Sequence, residues 1–133
     1  MLQHIVIIVQ ENRSFDNIFG GPNGFPGSDF ATSGQMSTGQ TQPLQQITFK
    51  DRHDIQHTHT NFVTQYAGGN MYFDLGKPDD PTFPYTYLDR ADTAPYWSMA
   101  SQYVLADRFF ESNNGPSYEA HQYLIAGQSQ MAV

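Results

Sequence analysis

Residues 4–20 read His4-Ile5-Val6-Ile7-Ile8-Val9-Gln10-Glu11-Asn12-Arg13-Ser14-Phe15-Asp16-Asn17-Ile18-Phe19-Gly20. The unbroken β-branched run Ile5 to Val9 predicts a strand, and its lack of alternation predicts cover on both faces. Such strands belong to parallel sheets flanked by helices, and there ligands sit beyond the carboxyl ends of the strands. Glu11 and Asn12 stand at that edge. Their carboxylate and amide oxygens are hard donors suited to a divalent metal or a polar substrate. The plainer reading is a strand-to-helix turn, with Asn12 or Ser14 capping a helix that runs through Phe19 and stops at Gly20. On a helix, Phe15 and Phe19 share one face.

Working outward, the 133 residues suffice for one small domain. A formal charge of −7 argues against a nucleic-acid partner, which requires a basic face. It leaves small phosphorylated substrates open, because a metal can supply positive charge locally. With no cysteine there is neither a disulfide framework nor a thiolate zinc site. No apolar run reaches the roughly 20 residues of a membrane span, and no signal peptide is visible. Leu124 to Val133 supplies no evident closing element, and only two stretches read as convincing strands, Ile5–Val9 and Tyr103–Ala106. The expectation is an α/β chain forming the front part of a larger domain.

The intervening chain is less regular. Gly20 to Gln46, rich in Gly, Pro, Ser, Thr and Gln, reads as a long surface loop. Ile47–Phe49 reads as a short edge strand, Asn61–Tyr66 as a weak helix and Tyr85–Leu88 as a strand. A helix to about Gln102 is capped by Asp92 or Thr93, with Pro95 in its first turn. Asp54, His57 and His59 form a polar group. On a strand His57 and His59 would share a side, which suits a metal, a phosphate contact or proton donation; incidental loop histidines are the alternative. Gly115-Pro116-Ser117 opens a helix ended by Gly127. A helix start favours an anion and Ser117 could serve as nucleophile, although a simple cap is the commoner role. His121 follows one turn later on the same face. Arg13, Asp16 and Asp107 read as structural ion-pair or capping residues. The aromatic group around Tyr85, Trp97 and Phe109 reads as core and pocket wall.

Together these segments resemble the bacterial and fungal phosphoesterase family of phospholipases C and acid phosphatases. HIVIIVQENRSFDNIFG resembles its N-terminal signature, Asp54 to His59 its Asp-x-Asp-His segment, and Gly68-Gly69-Asn70-Met71 its Gly-Gly-Lys-Met segment. Pro95-Tyr96-Trp97 with Ala106 to Phe110 resembles its helix and second strand, and Gly115 to Ile125 its nucleophile segment. Asn70 departs from the usual lysine, and Tyr72-Phe73 from the usual Asp-Gly.

The resemblance implies an alkaline phosphatase-like fold, a mixed or parallel sheet sandwiched by helices, with residues 1–133 as its N-terminal portion. It implies a secreted or periplasmic hydrolase of phosphate esters, phospholipids included, that depends on a divalent metal. Glu11, Asn12 and Ser117 then match metal ligands, and Ser117 also matches the nucleophile that would pass through a phosphoseryl intermediate. His57 and His121 match catalytic-site histidines, while His59 and Asn114 are expected at the substrate. The family's remaining ligands are an aspartate pair further downstream. A non-catalytic fragment or binding module lacking that pair is the competing expectation.

Overall fold

The computed structural model describes residues 3–129, so the part of the expectation for Leu124 to Val133 that falls on 130–133 lies outside the described residues. It is mixed α/β. Helix α1, Phe15–Phe19, is followed by strands β1, Ser33–Gln35, β2, Thr41–Pro43, and β3, Gln45–Ile47. Helix α2, His59–Tyr66, strand β4, Thr86–Leu88, helix α3, Arg90–Gln102, and helix α4, Ser117–Ala126, complete the order. Strands β1 and β2 pair antiparallel with Gly34 opposite Gln42, whereas β3 and β4 pair parallel with Gln46 opposite Tyr87.

Local chemistry explains the helices. Ser14 accepts a hydrogen bond from the Asn17 amide and so caps α1, while the Gly20 amide closes it on the Asp16 carbonyl. Asp89 caps α3 through the Ala91 amide, three residues before the expected cap, which leaves Pro95 inside the helix rather than in its first turn. Thr58 caps α2, which begins at His59, two residues before the weak helix expected from Asn61.

The core sits where α1 meets α3. Phe19 and Trp97 are buried, with ring centroids 5.9 Å apart, and Phe25 lies against both. The Trp97 indole N–H donates to the Ile18 carbonyl at 2.9 Å, satisfying the one polar atom of that ring. Arg90 covers its other side, 4.1 Å from the ring centroid. Asn17 ties α1 to β4 by donating to the Thr86 carbonyl at 2.6 Å.

Three expectations are corrected. The segment Gly20–Gln46 is not all loop, since it contains the β1–β2 hairpin. Gly34 lets that hairpin approach the Tyr85 ring, where a Cβ would sit 2.6 Å from a ring carbon. The strand expected at Ile47–Phe49 lies at Gln45–Ile47, because β4 pairs there.

The larger correction concerns the two apolar runs. Ile5–Val9 and Tyr103–Ala106 form no strand, and apart from the half-buried Leu105 their side chains are exposed, Val6 at 82% and Val104 at 92%. A β-branched run favours extended backbone, but a strand also needs a ladder partner, and none is present among the described residues. No helix among the described residues is long and apolar enough to cross a membrane.

Candidate functional site

The turn after Val9, the segment 52–58 and the start of α4 converge on one cavity of about 820 Å³. Glu11, Asn12, His57, Asn114 and Ser117 all line it, with Arg13 and Asp54. His59 and His121 are not among its lining residues; each instead touches one that is. The His121 Nε2–H donates to Glu11 Oε2 at 2.7 Å, joining residues 110 positions apart. The His59 Nδ1–H lies 3.4 Å from the Asn114 carbonyl, and its ring stacks on Phe62.

The alternatives left open by the sequence separate here. Ser14, not Asn12, caps α1. Asn12 turns its side-chain nitrogen to His57 Nδ1 at 3.2 Å. At α4 the cap position is Pro116, with no side-chain capping bond, so Ser117 is the first helical residue and not the cap. The first turn of α4 therefore keeps its amides free of side-chain acceptors. Two buried oxygens near this turn, Asn113 Oδ1 and Glu119 Oε2, lack a partner among the described residues.

His57 and His59 do not form a strand pair. His57 lies in irregular backbone and His59 begins α2, so their side chains take different partners. Asp54 also takes another role, accepting from His57 Nε2 at 3.0 Å. That hydrogen bond is the main reason its carboxyl is held below the usual aspartate range. Asp16 accepts from the Ala31 amide and Asp107 from the Asp29 amide, both at 2.8 Å, as structural residues do.

Asn61 passed unnoticed in the sequence. It is buried, and its amide group donates to the carbonyls of Gln56 at 2.7 Å and Gly76 at 3.1 Å. It thereby fastens the segment carrying His57 to the turn Phe73–Gly76. Its only signal was a polar residue on the first turn of a weak helix.

The available donors suit a hard divalent cation in kind: a carboxylate at Glu11, an amide oxygen at Asn12 and a hydroxyl at Ser117. Among the described residues, no group of three His, Cys, Asp or Glu side chains gathers as a metal cluster. An apolar wall of Phe62, Tyr66, Met71 and Phe73 closes another side of the cavity.

Comparison with known proteins defines the class. The phosphoesterase family model matches residues 2–132, so the chain belongs to the phosphoesterase family. It is 26% identical over 140 residues to the hemolytic phospholipase C of Pseudomonas aeruginosa. That alignment covers 96% of this chain and 19% of the relative, so the chain spans about a fifth of the relative's length. No solved structure matches.

Proposed function

We propose that this chain forms the N-terminal portion of the catalytic domain of a metal-dependent phosphate ester hydrolase, with Ser117 as nucleophile. The observation that carries the reading is the shared cavity. Ser117, at an uncapped helix start, lines the same space as Glu11, Asn12 and His57 from the far end of the chain. Family membership and the phospholipase C relative support phosphate ester chemistry.

In this reading Glu11 and Asn12 hold the ion through their oxygens, and the Ser117 hydroxyl completes this chain's share. A bound divalent ion supplies Lewis acidity, polarising a phosphoryl oxygen and lowering the cost of ionising a hydroxyl. Ser117 Oγ would attack phosphorus as the bond to the leaving oxygen breaks; the serine proton ends on the departing alcohol, and water then cleaves the phosphorylated serine, returning a proton to Oγ and releasing phosphate. The free amides of the first turn of α4 face the charge on the non-bridging oxygens. His121 orients the Glu11 carboxylate through its 2.7 Å bond. Asn114 borders the substrate, and His59 reaches that edge only through the Asn114 carbonyl.

A nucleophilic serine favours a phosphomonoester, whereas the name of the relative favours a phospholipid-type diester. Turnover of a chromogenic phosphomonoester and of a phosphocholine diester, each with and without chelator, distinguishes them. The test uses the protein that carries this chain. Chelator is expected to stop turnover and added metal to restore it. Ser117→Ala is expected to cut kcat at least about a thousandfold with the fold intact. Hydrolysis of neither ester by the folded, metal-supplied protein would defeat the reading, and wild-type turnover by Ser117→Ala would defeat the nucleophile assignment.

A further inference from the structure

We infer that Asp54 is a positioning residue that fixes, through the His57 ring, which face of the Asn12 amide meets the cavity. The inference rests on the reading of Asn12 as an oxygen donor and extends it to a residue without an assigned role.

The argument starts at Asp54. A carboxylate only accepts, so the His57 Nε2 atom 3.0 Å from Asp54 Oδ1 must carry the ring proton. Across the ring, Nδ1 faces the Asn12 Nδ2 group, which only donates, so Nδ1 accepts and the ring holds its single proton on Nε2. Nδ1 lies 3.2 Å from the Asn12 side chain, and only the NH₂ end of that amide can satisfy an acceptor. Asn12 is therefore held with Nδ2 toward His57 and Oδ1 directed away. Oδ1 has no protein partner among the described hydrogen bonds, and Asn12 lines the cavity. A cation or phosphorylated ligand entering there meets an oxygen.

Without Asp54, the ring can carry its proton on Nδ1. That proton would demand the amide oxygen, and the Asn12 side chain would turn over, presenting NH₂ to the ligand. A donor cannot coordinate a cation. The geometry makes Asp54 matter to Asn12 although they never touch. The Asp54 side chain is largely exposed, so its replacement should not disturb the fold.

The test compares wild type with Asp54→Ala and Asp54→Glu in the protein that carries this chain. Ring nitrogens are observed by ¹⁵N NMR of histidine-labelled samples, with His57 assigned by its loss in His57→Gln. Wild type is expected to show the Nε2–H tautomer. Asp54→Ala is expected to show loss of that preference and binding of Mn²⁺ weakened about tenfold to a hundredfold. Asp54→Glu, which restores an acceptor, should recover much of both. An unchanged His57 tautomer in Asp54→Ala, or unchanged Mn²⁺ affinity, overturns the inference. The tautomer comparison needs no turnover, so an inactive but folded wild type counts against the hydrolase reading alone.

Discussion

Tyr85→Phe should destabilise the protein by about 2 kcal/mol without changing the shape of its core. Tyr85 is 1% exposed, and phenylalanine keeps the ring, so no cavity opens. What disappears is the hydroxyl, which lies 3.0 Å from the Gln35 carbonyl and 3.0 Å from Asp74 Oδ1. One proton cannot serve both fully. The loss is therefore one charge-assisted bond, worth about 1.5–3 kcal/mol, plus the long 3.4 Å contact in which the hydroxyl accepts from the Asp74 N–H, rather than two full donated bonds. Asp74 adds a pH signature. Burial by itself would raise its carboxyl, but hydrogen bonds from Ser37 and Tyr85 outweigh it and hold the group below its ordinary 3.8. A depressed folded value stabilises the protein above the unfolded value, and the contribution is lost as pH falls through the folded one. The gap between wild type and Tyr85→Phe should thus be full at neutral pH and narrow below about pH 4. Urea unfolding at several pH values measures it, with the slope unchanged. A gap under about 0.5 kcal/mol at pH 7, smaller than a typical neutral hydrogen bond, would refute the reasoning.

Further outcomes follow from other contacts. His121→Ala should weaken divalent-ion binding about tenfold by releasing the Glu11 carboxylate, as calorimetric titration would show; unchanged affinity would remove His121 from the site. The hydrogen bond that His53 donates to the Asp51 carboxylate is the main cause that raises His53 above its ordinary 6.5. In Asp51→Asn, NMR titration should find His53 back toward that value; since His53 is exposed and Asp51 only half-buried, the stability of the protein should change little. Gly21 has φ +88°, and a Cβ there would sit 2.7 Å from the Tyr87 ring, so Gly21→Ala should destabilise by at least about 1 kcal/mol in urea unfolding.

Helices were legible because their signals are local. Ser14 and Gly20 bracket α1 within seven residues, and Gly127 ends α4 as expected. The β1–β2 hairpin was not legible, because Ser33-Gly34-Gln35 and Thr41-Gln42-Pro43 have no apolar alternation. Contact with Tyr85, some fifty residues away, holds it. The runs Ile5–Val9 and Tyr103–Ala106 fail for a related reason: composition sets a preference for extended backbone, whereas burial depends on a partner. At the site, residue types revealed Glu11, Asn12, His57 and Ser117 as candidates. Their connections were hidden, because Asn12 and His57 are 45 positions apart and Glu11 and His121 are 110. Asp54, three residues before His57, was visible as a possible ligand but not as the group that orients the ring.

The two halves of the site rest on unequal supports. Ser117 is built into a ten-residue helix, and its loop is held by the His59 contact to Asn114. Glu11 and Asn12 end an extended segment with no ladder bonds among the described residues, steadied by His57 and His121 alone. Each such side-chain bond is worth about 1 kcal/mol. Burial of the five aliphatic side chains Ile5 to Val9, at roughly 1.5–3 kcal/mol each, would contribute on the order of 10 kcal/mol. Those side chains are exposed here, so that stabilisation is absent and the two hydrogen bonds are what hold the carboxylate and amide. The polar contacts therefore carry both tasks: they tie the turn to His57 and His121, and they choose which atoms of Glu11 and Asn12 face the cavity.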